Sequence, residues 1–132
     1  KEDVNLEERY MVGGSKTTAG INRIVPIHHK ILPIITALYA KNKVYLIENK
    51  LGKQMKYSNF RREKWDKIMS DLEMKHLPHE CRHTTATLLD RFEANSNSIK
   101  KILGHSSTNI TDKTYIHKDL SQLITAIEKI EI

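Results

Sequence analysis

Five side chains in this sequence could do chemistry together: Lys16, His79, Arg82, His105 and Tyr115. Arg82 offers a planar fork of donors that fits two phosphate oxygens and stays charged throughout. His79 follows Pro78, so it and Arg82 fall on one face of an opening helical turn. Free backbone N–H groups and the positive end of the helix dipole favour an anion there. An imidazole such as His79 takes or delivers a proton near neutral pH. The phenol of Tyr115 attacks phosphorus once its proton is removed or the phosphate is strongly polarised. Lys16 could protonate a departing alkoxide, because desolvation or neighbouring cations lower the pKa of an ammonium group. Clustered positive groups around a pentavalent phosphorus supply the stabilisation on which phosphoryl transfer mostly depends. That chemistry requires no metal or other cofactor.

Singly, each of these residues has an ordinary structural role. A helical tyrosine is most often a core or rim residue, a loop lysine is solvated, and a histidine after a C-cap glycine is often just part of the turn. His83 and Thr84 read as local packing or capping residues, and His117 as a surface residue. Order and spacing together favour the phosphate site.

The chain of 132 residues is one domain's worth. Its 39% hydrophobic and 29% charged residues are those of an ordinary globular protein. No run of about 18 apolar residues exists, and no signal peptide opens the chain, so a cytoplasmic location with no membrane partner is expected. The lone Cys81 cannot form an internal disulfide, which agrees with a reducing compartment. Net charge is +6 and the pI about 9.4, a moderate excess that suits a polyanion such as nucleic acid. The chain lacks an initial methionine and begins in mid-pattern, as expected of a piece of a longer protein.

The positioning elements can be read in order. Residues 6–12 and 21–27 read as two strands of a hairpin whose Gly- and Ser-rich loop carries Lys16 near its tip. Pro26 closes the second strand. Ile31, Ile34, Ile35 and Leu38 recur at helical spacing up to Ala40, with Pro33 confined to the first turn. Val44–Ile47 reads as a short buried strand or an extended connector. A basic stretch from Lys50 to Lys64 leads into a helix over 58–72, capped by Ser58 and burying Trp65, Ile68, Met69 and Leu72. From Pro78 to about Glu93 a helix buries Thr85, Leu88, Leu89 and Phe92 and leaves His79 and Arg82 at its N-terminal end. Asn97 or Ser98 caps a short helix that Gly104 ends, holding His105 at a tight turn. Residues 109–116 form a short helix or turn presenting Tyr115. A last amphipathic helix from about Asp119 to Glu128 carries Leu120, Leu123, Ile124, Ile127 and Ile130, for its own core or for a neighbouring protomer.

In that order, His79-x-x-Arg82-His83-Thr84, then Leu103-Gly104-His105, then Tyr115 resembles the C-terminal catalytic domain of tyrosine recombinases, the phage integrase family. Ser15-Lys16-Thr17 followed by Arg23-Ile24-Val25-Pro26-Ile27 is similar to that family's lysine-bearing hairpin. The resemblance runs from about residue 4 to 118. It implies an α+β, mainly helical fold, with a small antiparallel sheet packed on a helical bundle. It implies site-specific DNA cleavage and rejoining through a covalent 3′-phosphotyrosine. Arg82 would be the second phosphate-clamping arginine, His79 and His105 the two histidines, Lys16 the general acid and Tyr115 the nucleophile. The implied partners are double-stranded DNA and other recombinase protomers, as a tetramer on DNA.

Three departures stand out. Cys81 replaces a usual leucine, and Ala94-Asn95 stands where a glycine usually follows the long helix. The family's first catalytic arginine precedes the hairpin, and residues 1–12 contain nothing like it. Residues 1–132 are therefore expected to be a partial catalytic domain that cleaves DNA poorly alone, its upstream part and N-terminal DNA-binding domain lying outside. Two other enzymes fit less well. His79-Glu80-Cys81-Arg82-His83 is literally the zinc-peptidase pattern, but Pro78 places His79 in the first turn and Arg82 would sit beside the dication. Type IB topoisomerases use a similar residue set and swivel DNA instead of exchanging strands. A purely DNA-binding remnant is disfavoured by the complete set of five residues.

Overall fold

Alternating burial along Arg23–Pro26 marks a strand with one face on a core: Ile24 and Pro26 are buried, Arg23 and Val25 half-buried. The structure is a computed structural model. It describes residues 1–14, 21–105 and 113–131, with the side chains of 113–118 outside the description. Its first elements are β1 (Val4–Asn5), β2 (Tyr10–Gly13) and β3 (Arg23–Pro26), an antiparallel sheet in the order β1-β2-β3. Met11 pairs with Val25 and Gly13 with Arg23. The single strand expected over 6–12 is thus shorter, and a reverse turn separates it from β1. Asn5 makes that turn: its side-chain oxygen accepts from the Glu8 N–H at 2.8 Å, and Arg9 takes a left-handed φ of 59°.

Helix α1 (Leu32–Lys41) starts where Pro33 allows, but it buries no residue completely; Ile35 and Leu38 are half-buried and Ile34 is exposed. Val44–Ile47 is a connector and not a buried strand. Its backbone N–H groups at Lys43, Val44 and Tyr45 are gathered by one oxygen of Glu48, at 2.7–3.0 Å. A carboxylate that collects three donors removes them from any strand ladder.

Next, α2 (Tyr57–Phe60) runs through a π-helical stretch, Arg61–Trp65, into α3 (Asp66–Asp71). The expected Ser58 cap is not used: Lys56 occupies the N-cap and offers no side-chain bond. Nor is the expected apolar stripe buried. Trp65 and Met69 are half-covered, while Ile68 and Leu72 are 50% and 58% exposed. The π turn adds one residue to the local repeat, slipping the stripe by roughly 100° relative to a regular helix. Trp65 instead reaches sideways, its Nε1 donating to the His76 carbonyl at 2.7 Å. That bond fixes the loop leading to His79.

Helix α4 (Glu80–Arg91) has His79 at its N-cap, as the proline implied. It ends at Phe92, and the next residue, Glu93, adopts φ 54°. This is the left-handed position that favours glycine, occupied here by a side chain. Glu93→Gly is therefore expected to raise stability by about 1 kcal/mol; a melting temperature unchanged or lowered would contradict it. Asn95, and not Asn97 or Ser98, caps α5 (Ser96–Leu103), its side chain accepting from the N–H groups of Asn97 and Ser98. Gly104 closes α5 at φ 70°, the expected role.

The last two expected helices are one: α6 (Lys113–Glu128) runs unbroken from the turn containing Tyr115. Its Leu120, Leu123, Ala126 and Ile127, with Ile130 beyond it, meet Ile24 of β3, Leu89 of α4 and Ile102 of α5 in the main core. The stripe closes its own chain's core. Leu89 and Leu123 are fully buried, each contributing about 2 kcal/mol of burial free energy. The protein is therefore mainly helical with a small antiparallel sheet against the helices, the fold class expected. Among the described residues no helix is long and apolar enough to cross a membrane.

Candidate active site

Arg82 and His105 come together across 23 residues of chain. The guanidinium Nη2 of Arg82 lies 2.8 Å from His105 Nε2. Arginine can only donate, so Nε2 is the accepting nitrogen and the ring proton sits on Nδ1. Arg82 is half-buried on the first turn of α4, and His105 is exposed directly after Gly104. The left-handed glycine turns the chain so that the imidazole reaches back to α4. Its backbone N–H is held by the Lys100 carbonyl at 2.8 Å.

His79 is exposed at the head of α4, and its ring meets His83 edge to face with centroids 5.2 Å apart. Pairing one turn apart on a helix is what the i, i+4 spacing permits. Glu80 is engaged with the residues just before the helix. Its carboxylate accepts from the Leu77 N–H at 2.6 Å and lies 3.2 Å from His76 Nδ1. The Leu77 hydrogen bond, helped by His76, holds the Glu80 carboxyl below its ordinary range. A glutamate so engaged caps the helix approach instead of serving as the base that the zinc-peptidase pattern requires.

Tyr115 lies in the first turn of α6, and its side chain lies outside the described residues. Lys16 also lies outside them. The element carrying Tyr115 is nevertheless anchored to α5, the helix that leads to His105. Lys101 of α5 donates to Asp119 of α6 at 2.6 Å, both partly buried, so the two helices are tied just downstream of the tyrosine turn.

Two charged groups were not singled out from the sequence. One is a clasp between Arg9, His29 and Glu128. Arg9 and the His29 ring both pair with the Glu128 carboxylate, and the His29 N–H donates to it at 3.0 Å. His28 is buried next to it. The sequence signal was only the His28-His29 pair after Pro26, which gives no hint of a partner 99 residues away. His28, His29 and Glu128 also place three potential metal-ligand atoms within 4.8 Å of one another. They do not fit a cation well. His28 already uses Nδ1 to accept from the Lys30 N–H and Nε2 toward the Ile130 carbonyl, both at 3.1 Å. The Arg9 guanidinium already supplies the positive charge.

Burial alone would raise the Glu128 carboxyl. The His29 hydrogen bonds and the Arg9 charge outweigh it and leave the pKa lowered. A carboxylate with a depressed folded-state pKa stabilises the protein above its unfolded value and loses that share as pH falls through the folded one. Glu128→Gln is therefore expected to melt lower than the parent at neutral pH. The gap should close as pH drops below the ordinary value of 4.5. Thermal melts across that range check this, and a gap independent of pH would contradict it.

The second unforeseen group is Arg23, at the start of β3. Its Nε is buried and, among the described residues, without a hydrogen-bond partner.

Arg82 and His105 thus meet near the head of α4, where His79 also stands, and α6, which carries Tyr115, is tied to α5. Residues 1–122 match the phage integrase family, and the chain belongs to that family. It is similar to the tyrosine recombinase XerC of Caldanaerobacter subterraneus subsp. tengcongensis, with 41% identity over 56 residues. That stretch is 42% of this chain and 16% of the relative's length. No solved structure matches the chain.

Proposed function

We propose that this chain belongs to the catalytic domain of a site-specific DNA recombinase that breaks and rejoins double-stranded DNA through Tyr115. The Arg82–His105 pairing carries the reading. It brings a guanidinium fork from α4 and an imidazole held just after α5 to one point, where a phosphodiester's non-bridging oxygens could be gripped. Family membership over nearly the whole chain supports the substrate class.

Arg82 and the two histidines, His79 and His105, hold the phosphate. When it binds, the Arg82 donor now spent on His105 Nε2 passes to a phosphate oxygen. The Tyr115 oxygen gives its proton to the His79 imidazole and attacks phosphorus, forming a P–O bond to the phenol while the bond to the 5′ oxygen breaks. Lys16 protonates that departing oxygen. The product is a 3′-phosphotyrosine and a free 5′-hydroxyl. A 5′-hydroxyl from a second duplex then attacks the same phosphorus and releases Tyr115. One phosphodiester is exchanged for another, so the step conserves bond energy and consumes no nucleotide. Exchange between duplexes calls for several protomers on the DNA, a tetramer when two duplexes are joined.

Two differently labelled duplexes incubated with the full-length natural protein carrying these residues test the reading. A covalent strand joining the two labels is expected. Relaxation of supercoiled DNA with no joined strand would instead favour a swivelling topoisomerase.

A further inference from the structure

Two of the chain's arginines have a buried Nε with no partner among the described residues, Arg9 and Arg23. They differ in what faces their charge. Arg9 meets the Glu128 carboxylate, and its role is complete within the fold. Arg23 has no carboxylate: among the described residues it makes no hydrogen bond and no ion pair. Burial first, and then the like charge of Arg82, lower its pKa. Arg82 likewise meets no acid among the described residues; the one described hydrogen bond of its side chain is to a histidine nitrogen.

Leaving a partly desolvated guanidinium under the repulsion of a second one, with no described acid on either, is unfavourable unless an anion completes the set. The space for one exists. Arg23 pairs across the sheet with Gly13, and a methyl group placed on Gly13 would meet nothing within 4 Å among the described residues. The strand end bearing Arg23 also packs near the helices of the site, since β3 contacts both α5 and α6.

We infer that Arg23 is a further phosphate-binding residue of the active centre, donating to the same DNA phosphodiester that Arg82 and His105 hold. This rests on the recombinase reading above. It adds a guanidinium from the sheet side to the guanidinium of α4 and the imidazole that follows α5. The developing charge on a pentavalent phosphorus would then be met from two faces.

The test uses the full-length natural protein and a nicked duplex that traps the covalent complex. Arg23→Gln is expected to slow adduct formation about 100- to 1,000-fold. Arg23→Lys keeps a positive charge but loses the fork, and is expected to slow it about tenfold. A duplex with a neutral methylphosphonate at the cleaved position removes the charge that Arg23 meets, so the deficit of either variant should shrink at least about tenfold on it. Should Arg23→Gln fail to fold, judged by melting, the lysine variant on the two duplexes decides alone. Adduct rates within about threefold of the parent's would overturn the inference, as would deficits equal on charged and neutral phosphates, which mark a merely structural role. Absence of adducts from the parent protein would overturn the recombinase reading itself, and this inference with it.

Discussion

Arg82→Ala is expected to reduce covalent adduct formation at least about 100-fold, while the protein melts within a few degrees of the parent. The asymmetry follows from where the guanidinium sits. It is half-buried on the outer side of the first turn of α4, and its described hydrogen bond is to the exposed His105. Truncating such a group costs the fold little, about 1 kcal/mol or less. In the proposed reaction it is a donor aimed at charge that develops in the transition state, and losing one such donor costs about 100- to 1,000-fold. Arg82→Lys should recover only part of the loss, because an ammonium is a point charge and cannot bind two oxygens in a plane. Rates of adduct accumulation on a nicked duplex, with melting curves beside them, read both effects. A loss of rate matched by a loss of folding would mean that Arg82 is structural.

Tyr115→Phe should have the larger effect still, with no detectable adduct and DNA binding retained. The substitution deletes one oxygen and leaves the ring that α6 carries. Arg82, His79 and His105 remain to hold the phosphate, so affinity measured by gel shift should change less than about threefold. The phenol itself cannot be replaced: water is neither positioned nor covalently retained by the protein. Adducts at the parent yield would remove Tyr115 from the mechanism.

The helical core was legible because it rests on periodicity. Leu89, Leu120, Leu123 and Ile127 stand at spacings that only a helix brings onto one face, and all are buried. The same signal misled for Ile68 and Leu72. Periodicity says which side chains share a face, and it does not say whether anything covers that face. The unbroken α6 was missed because the apolar stripe is regular only from Leu120, so residues 109–116 read as a separate short helix or turn, whereas the helix from Lys113 onward is continuous and tied to α5 through Lys101 and Asp119. The Asn95 cap was two positions from the expected residue, the usual uncertainty of a helix boundary read without backbone angles.

Of the expected site, Arg82 and His105 meet directly, and His79 stands at the head of the helix that carries Arg82. Sequence order allowed that because a C′ glycine and an N-terminal proline have stereotyped geometries. Arg23 and the Arg9–His29–Glu128 clasp carried no such local signature. Their meaning comes from the closing of the sheet against α6, which places Glu128 beside residues from the hairpin. A charge's role depends on what faces it, and only the folded chain supplies that.

The most direct measurement is the mass of the peptide that carries DNA after a trapped reaction. The full-length protein is incubated with a nicked duplex, the complex digested, and the modified residue located by fragmentation. A nucleotide joined through its 3′-phosphate to the Tyr115 oxygen is predicted. A nucleotide on any other residue, or joined through a 5′-phosphate, would contradict the account.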